Sequence, residues 1–277
     1  MNHKRVLESA VEMEYKSLFH SKEHEEEFFN NPDSIIIESE DNNVILFIER
    51  DEGINSLYWA GETVEDVAES LRELNKKFPK GTIIKISCCE DKDSKGLLEK
   101  IANEFINVGC KSEVHFVGFK ASTLDGVETE FNEVVKAKTH ELNHIYGIID
   151  RSLGGDKFKM NEHEMKEYMN NSENNVFTIK ENGNIAGIVF TNVYGNKSKN
   201  TKSLFIRGLA VDEKYRGKGY SKKLMKKAFN WGIENGAINS MLWVEKYNNI
   251  AINLYEKFGY KPYGDEEMIL KYTIENP

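Results

Sequence analysis

The sequence predicts an α/β protein, helices packed around a mixed sheet in an α+β arrangement, with this fold present twice in tandem. An internal repeat sets the doubling, β-rich runs closed by polar turns set the sheet, and amphipathic helices between strands set the connections. The repeat opens with "EHEEEFFNN" at 23–31, echoed by "EHEMKEYMNN" at 162–171. Each reads as an amphipathic helix that runs into an Asn pair. A strand, a polar turn and another strand follow in both halves, "SIIIESEDNNVILFIERDEG" and "NVFTIKENGNIAGIVFTNVYG". The turns "DNN" and "NGN" carry hairpin chemistry. Then "SLYWAG" at 56–61 answers "SLFIRG" at 203–208.

Beyond these strands the halves diverge. The second inserts "LAVDEKYRGKGYS" before the helix "KKLMKKAFNWGIENG", whereas the first runs almost directly into "ETVEDVAESLRELNKKFPKG". Agreement resumes with a strand, a helix and a closing Gly, "TIIKISCCEDKDSKGLLEKIANEFINVGCK" beside "INSMLWVEKYNNIAINLYEKFGYK". A final strand ends each half, "EVHFVGFKA" and "EMILKYTI". The second half also opens on a strand of its own, "NEVVKAK" at 132–138, and "STLDGVETE" at 122–130 reads as a linker. The expected domains are 1–127, without the inserted loop, and 128–277.

Length and composition agree with two domains of ordinary size: 277 residues, 39% hydrophobic and 30% charged. No apolar run approaches the roughly 20 residues that span a bilayer, and the start "MNHKRVLESAVEMEYK" lacks a secretory apolar stretch. A cytoplasmic protein is expected. The three cysteines, Cys88, Cys89 and Cys110, have no metal-ligand spacing and sit in or beside apolar runs, so they read as reduced core thiols. A net charge of −9 argues against a nucleic-acid or anionic-membrane partner. Against that background "KYRGKGYSKKLMKK" is a strip of seven basic residues with no acidic one. Lys222, Lys226 and Lys227 fit a solvated helix face, but the glycines among the first three basic residues point to more.

That strip holds a Gly-containing loop between the strand "SLFIRGLAV" and a helix. Such a loop suits an anion: small residues let the backbone approach it, and the first helical turn presents unpaired N–H groups. Neither the P-loop string nor G-x-G-x-x-G is present, so a nucleoside triphosphate or NAD is not favoured. A second string, His140-Glu141-Leu142-Asn143-His144, has the H-E-x-x-H form of zinc peptidases, with Glu164 available as a third ligand. With Thr139 as N-cap and Leu142, Ile145 and Ile149 on the core face, however, both histidines point away from the core. The site residues expected for the protein therefore include no metal.

"LAVDEKYRGKGYSKKLM" followed by "LWVEKYNNIAINLYEKFGY" resembles the GCN5-related N-acetyltransferase (GNAT) superfamily, over about residues 131–273. In that family [Q/R]-x-x-G-x-[G/A] follows the fourth strand, and N-x-x-A-x-x-L-Y-E-K-x-G-[F/Y] forms a later helix. Here the loop is Arg216-Gly217-Lys218-Gly219-Tyr220-Ser221, with Ser221 where Gly or Ala is usual. The resemblance implies acetyl-CoA as co-substrate, its pyrophosphate on the amides from Arg216 to Ser221. Its pantetheine arm would lie along Leu209, Ala210 and Val211, where the sheet splays, and a donor near Leu209 would polarise the thioester carbonyl. Asn248 would bond the same arm beside Ala251, and Tyr255 would face the sulfur. Tyr255 is then the candidate acid for the departing thiolate, a phenol near 10 set against a thiol near 8.5. Many family members carry a carboxylate in the fourth strand, but Arg207 stands there; Glu245, closing "MLWVE", is the substitute base, or a water chain serves.

The reading is thus an N-acetyltransferase acting on a primary amine of a small molecule or peptide. A non-catalytic acyl-CoA sensor is the alternative, and zinc proteolysis through His140 and His144 a remote one. The first half keeps the repeat without the Gly loop, the Asn or the Tyr, which fits closing an acceptor cleft or mediating assembly. The segments 140–171 and 194–200 are expected to shape the acceptor site.

Overall fold

A computed structural model of the chain describes residues 13–16, 35–38, 44–51, 53–90, 96–124, 131–154, 160–196 and 201–275. The helix expected at 23–31, the turn at 41–43 and parts of the segments 122–130 and 194–200 lie outside the described residues. The chain divides into two compact units, residues 1–117 with 264–277, and residues 118–263.

In the first unit β1 (Tyr15–Lys16), β2 (Ile35–Glu38), β3 (Val44–Asp51) and β4 (Ile54–Gly61) precede α1 (Val64–Ser70). A 3-10 segment, Leu71–Lys76, continues α1 into β5 (Ile83–Glu90), followed by α2 (Leu97–Asn107) and β6 (Lys111–Ala121), whose residues from Gly118 fall in the second unit. Thr63 caps α1, its hydroxyl accepting from the Asp66 amide at 3.1 Å. Leu98, Ile101, Ala102 and Phe105 form one stripe of α2 and meet Leu46, Trp59, Ile86 and Cys88 in the core. Burial pushes the Cys110 thiol up to about 12 and the Cys88 thiol well above its ordinary value, whereas Cys89 is only partly buried.

The last strand, β12 (Tyr260–Thr273), corrects the expected domain limits. From Gly264 onward it belongs to the first unit, and it pairs antiparallel with β5 from Glu266 opposite Glu90 to Thr273 opposite Ile83. Leu270, Tyr272 and Ile274 are buried in the core that α1 and α2 cover. Tyr272 accepts from Asn75 Nδ2 at 3.0 Å, and Ser87 donates to Glu267 at 2.6 Å. The first unit's core therefore includes chain that follows the whole of the second unit in sequence.

The second unit runs β7 (Val134–Lys136), a 3-10 turn Thr139–Glu141, α3 (Leu142–Ile149), a π segment Asp150–Gly154 and α4 (Glu162–Asn170). Then come β8 (Asn174–Glu181), β9 (Asn184–Asn196), β10 (Thr201–Val211), a 3-10 turn Glu213–Tyr215, α5 (Tyr220–Glu234), β11 (Ala237–Glu245) and α6 (Asn249–Glu256). Its sheet order is β11-β10-β9-β8-β7. The predicted "NGN" hairpin forms with Asn182 at φ 49° and Gly183 at φ 80°, the two left-handed residues of a type I′ turn.

Both units contain the same split. In the second, β10 runs parallel to β11 only to Ile206 opposite Leu242, while its antiparallel pairing with β9 continues to Val211 opposite Gly187. In the first, β4 runs parallel to β5 only over Asn55–Leu57 and stays paired with β3 to Gly61. There β1 takes the vacated edge, Tyr15 opposite Gly61 and Lys16 opposite Ala60. On β10 no described strand covers the corresponding edge.

Ending the chain at residue 263 removes Leu270, Tyr272 and Ile274, each worth about 2–5 kcal/mol in a core, from a domain whose whole stability is about 5–15 kcal/mol. Hydrogen exchange on that truncated protein should show the first unit's amides unprotected while α5 and β8–β10 keep their protection. Unchanged protection in β3–β5 would contradict the assignment of this strand.

Candidate active site

The loop after β10 is fixed at both ends by carboxylates. Asp212 is buried, accepts from Arg151 at 2.7 Å, and caps the Glu213–Tyr215 turn through the Lys214 amide at 3.3 Å. The Arg151 guanidinium holds the Asp212 carboxyl below the usual range. At the other end Lys218 and Tyr220 donate to Glu181 at 2.6 and 2.5 Å, lowering that carboxyl likewise and tying the loop to the β8–β9 hairpin. Between these ties Gly217 and Gly219 adopt φ of 80° and 77°, which a side chain resists. The amides of Lys222 and Lys223 return to Gly219 O at 3.1 and 3.3 Å, and Arg216 N–H donates to Glu213 O at 3.2 Å. The amides from Gly217 to Ser221 have no backbone acceptor among the described residues. The expected amide cradle thus begins at Gly217 and not at Arg216.

Beside the loop lies a cleft of about 450 Å³. Leu209, Ala210 and Val211 form one wall, and Arg216, Gly217, Gly219, Tyr220 and Ser221 form its end. Asn248, Ala251 and Tyr255 line it from α6. The Asp212 amide donates to Ala186 O on β9 at 2.9 Å, so alternation along the strand turns Ala210 toward β9 and Leu209 and Val211 toward the open edge. Val211 O, on that edge, accepts from Arg216 Nε at 3.3 Å.

Close packing keeps this strand in place. A Cβ on Gly187 would sit 2.9 Å from Ala210 O, and one on Gly232 of α5 would sit 3.0 Å from Leu204. Helix α5 buries Leu224, Met225, Ala228 and Phe229 on its sheet side, and Phe229 meets Phe258 and Tyr260 at 5.5 and 5.9 Å. Ser240 Oγ donates to Leu204 O at 2.9 Å and lies 2.5 Å from the Tyr260 hydroxyl. Ser has one proton to give, so Tyr260 is the donor in the second bond. Its neighbour Tyr255, ring centroids 5.8 Å apart, is 8% exposed, and its hydroxyl makes no hydrogen bond to another described residue. Burial pushes the Tyr255 phenol up to about 12.

Three expected residues behave differently. Lys218 is held by Glu181 and does not line the cleft. Asn248 uses Oδ1 to cap α6 through the Ala251 amide at 3.1 Å, which leaves its NH2 group as donor. Glu245 is half-buried at the end of β11, on the face of Met241 and Trp243, and is not part of the Tyr255 cleft. The structure adds Ser152 from the π segment, Tyr215, Lys222, Asn253 and Lys257 to the lining. Lys222 belonged to the basic strip, but Ser152 lies in an irregular segment that carries no periodic signal. The other strip lysines are engaged: Lys214 over Tyr215, Lys223 with Glu133 at 2.5 Å, Lys226 over Phe131 and Lys227 over Phe177.

The H-E-x-x-H string also resolves differently from its capping expectation. Thr139 begins a 3-10 turn, not an α-helix, and Glu141 closes that turn by accepting from the Lys138 amide at 2.7 Å. Glu141 is buried and ion-paired with Lys180, whereas His140 and His144 are exposed. Glu164 caps α4 through the Asn161 amide at 2.9 Å. The string therefore folds a turn, and its carboxylate is committed to a lysine.

The model of the acetyltransferase (GNAT) family matches residues 142–260. Among solved structures, the chain is similar to a GCN5-related N-acetyltransferase from Sphaerobacter thermophilus, with 13% identity over 92% of this chain and 86% of that one, TM-score 0.59. It is also similar to a putative GNAT-family acetyltransferase from Novosphingobium aromaticivorans, with 12% identity over 82% and 91%, TM-score 0.52. A GNAT-family acetyltransferase from Colwellia psychrerythraea gives 13% identity over 87% and 85%, TM-score 0.51. At such identities the likeness is one of fold. No curated protein matches the sequence. With the split sheet, the glycine loop and the family match falling on one stretch of chain, residues 142–260 are a domain of the acetyltransferase (GNAT) family.

Proposed function

We propose that the protein is an acetyl-CoA-dependent N-acetyltransferase that acts on a primary amine of a small molecule or peptide. The observation that carries this reading is the uncovered edge of β10 at Leu209 and Val211, which leads into the amide cradle at Gly217–Ser221 with Tyr255 in the same cleft. Acetyl-CoA has groups that suit both ends of this cleft. Its pyrophosphate takes the cradle, with Arg216, Lys222 and Lys257 nearby, and its pantetheine amides pair with the strand edge.

In the reaction the amine nitrogen attacks the thioester carbonyl carbon. The C–N bond forms, the C–S bond breaks, and the proton lost by the amine ends on sulfur, so an amide and free CoA thiol leave. A backbone donor near Leu209 stabilises the oxyanion in this reading. A phenol raised by burial to about 12 holds its proton more tightly than a thiol near 8.5, so full transfer from Tyr255 to the thiolate runs uphill. Tyr255 therefore serves as a hydrogen-bond donor to the leaving sulfur, and the proton comes from the amine by way of the base. Glu245 stands outside the cleft, so a water chain is the base in this scheme.

Gly219→Glu sets a carboxylate against the pyrophosphate on a backbone at φ 77°. It should weaken acetyl-CoA binding by about 100-fold or more, read by calorimetry, while Gly219→Ala costs only the backbone strain of about 1–2 kcal/mol. Equal affinity in the Glu variant would place the cofactor elsewhere.

Tyr255→Phe removes a hydrogen bond to a charged sulfur and should lower kcat by about 10- to 100-fold with acetyl-CoA affinity unchanged. Because burial raises this phenol, its donor form is full at every pH below about 11. The kcat profile of the native protein should accordingly show no falling limb up to pH 10. A falling limb near pH 9 that disappears in the Phe variant would contradict this role.

A further inference from the structure

A second cleft of about 370 Å³ lies in the same unit and is distinct in its lining from the first. Arg207 enters it from β10, Glu164, Glu167 and Tyr168 from α4, and Asn171 and Asn174 from the turn into β8. Arg207 owes its place to a β-bulge. The pairing of β10 with β9 slips between Ile206, opposite Thr191, and Gly208, opposite Phe190, which leaves Arg207 as the extra residue. Bulges re-aim a side chain, and this one exposes Arg207 at the position where β10 has just parted from β11.

Two residues further on is Leu209, whose backbone lines the first cleft. At about 3.4 Å per residue the two clefts approach the strand within roughly 7 Å of each other. An acceptor in the second cleft is thus one strand-step from a thioester laid along the first.

From the chemistry of this lining, the geometry points to the second cleft as the acceptor subsite, and to an acceptor amine that also carries an anionic group, received by Arg207. The inference rests on the acetyltransferase reading. A guanidinium stays charged at any physiological pH and cannot serve as the base. Its charge repels an ammonium, favours the neutral amine that attacks, and offers a planar fork to a carboxylate or phosphate. Glu164 and Glu167 share one face of α4, three residues apart, so the cleft carries both signs of charge. Glu167 lies 3.4 Å from His163, and Glu164 caps the helix with Oε2. A lining with two carboxylates and one guanidinium complements a molecule of both signs and disfavours a simple anion. Tyr168, donating to Thr191 O at 2.7 Å with its phenol raised by burial, holds the floor as a neutral group.

The test uses the full chain and three primary amines of matched length: one otherwise uncharged, one bearing a carboxylate two or three carbons from nitrogen, and one bearing a phosphate there. A diamine is added as the cationic control. Released CoA thiol is measured, and acetyl-CoA binding is followed separately by calorimetry. One or both anion-bearing amines should exceed the uncharged amine and the diamine at least tenfold in kcat/KM, and which of the two leads identifies the anion. Arg207→Ala should remove most of that preference through KM, Arg207→Lys should restore part of it, and Arg207→Glu should shift preference to the diamine, all with acetyl-CoA affinity unchanged. Uncharged amine or diamine used as well as the anionic ones, or a preference that survives Arg207→Ala, overturns the inference, as does bound acetyl-CoA with no amine of the panel turned over. Loss of acetyl-CoA binding in the native protein would instead overturn the acetyltransferase reading itself.

Discussion

A strand that loses one neighbour part-way along its length is left with a row of backbone donors and acceptors that must find partners elsewhere. In this protein β10 loses β11 after Ile206 but keeps β9 to Val211, so Leu209 and Val211 face an open edge. Nearly every other feature of the site serves that split. Gly187 and Gly232 let β9 and α5 press against β10, and the Tyr260–Ser240–Leu204 chain pegs the root where the two strands part. Asp212 and Glu181 hold the loop so that its glycines lead into α5 with amides that have no backbone acceptor among the described residues. In the proposed function, a cofactor with amides along its length and a pyrophosphate at its end would satisfy the strand and the helix together.

The first unit shows what happens when the same opening is filled from within. Its β4 parts from β5 after Leu57, but β1 lies on the freed edge at Ala60 and Gly61. Tyr15 packs on the core, with Lys100 of α2 over its ring at 5.0 Å. The first half lacks the inserted glycine loop, and among the described residues β1 pairs with the freed edge at Ala60 and Gly61.

Much of this was legible in the sequence because it is encoded locally. Asn182-Gly183 dictates its hairpin turn, Gly217 and Gly219 dictate the loop, and the stripe of α5 is read from spacing alone. The loop's resemblance to a known family also places Leu209, Val211 and Tyr255 on one cleft, as found. What escaped depends on distant partners. Nothing in "EMILKYTI" tells which sheet it will join, since its alternation suits any half-buried edge, and its partner β5 lies some 180 residues earlier. The tethers at Asp212 and Glu181 are single carboxylates whose meaning comes from Arg151 and Lys218 across the fold. Glu141 illustrates the same limit: in sequence it completes a metal string, in the structure it closes a turn and meets Lys180. Arg207 was visible as a departure from a carboxylate position, but only the bulge shows which cleft it enters.

The central claim, that the open edge of β10 receives the cofactor's pantetheine arm, is tested most directly by residue-resolved amide hydrogen exchange with and without acetyl-CoA. The amides of Leu209 and Val211 should exchange rapidly in the free protein and slow at least tenfold with cofactor. Ala210, turned toward β9, should be protected in both states. Protection that leaves Leu209 and Val211 unchanged while acetyl-CoA is bound would contradict the account.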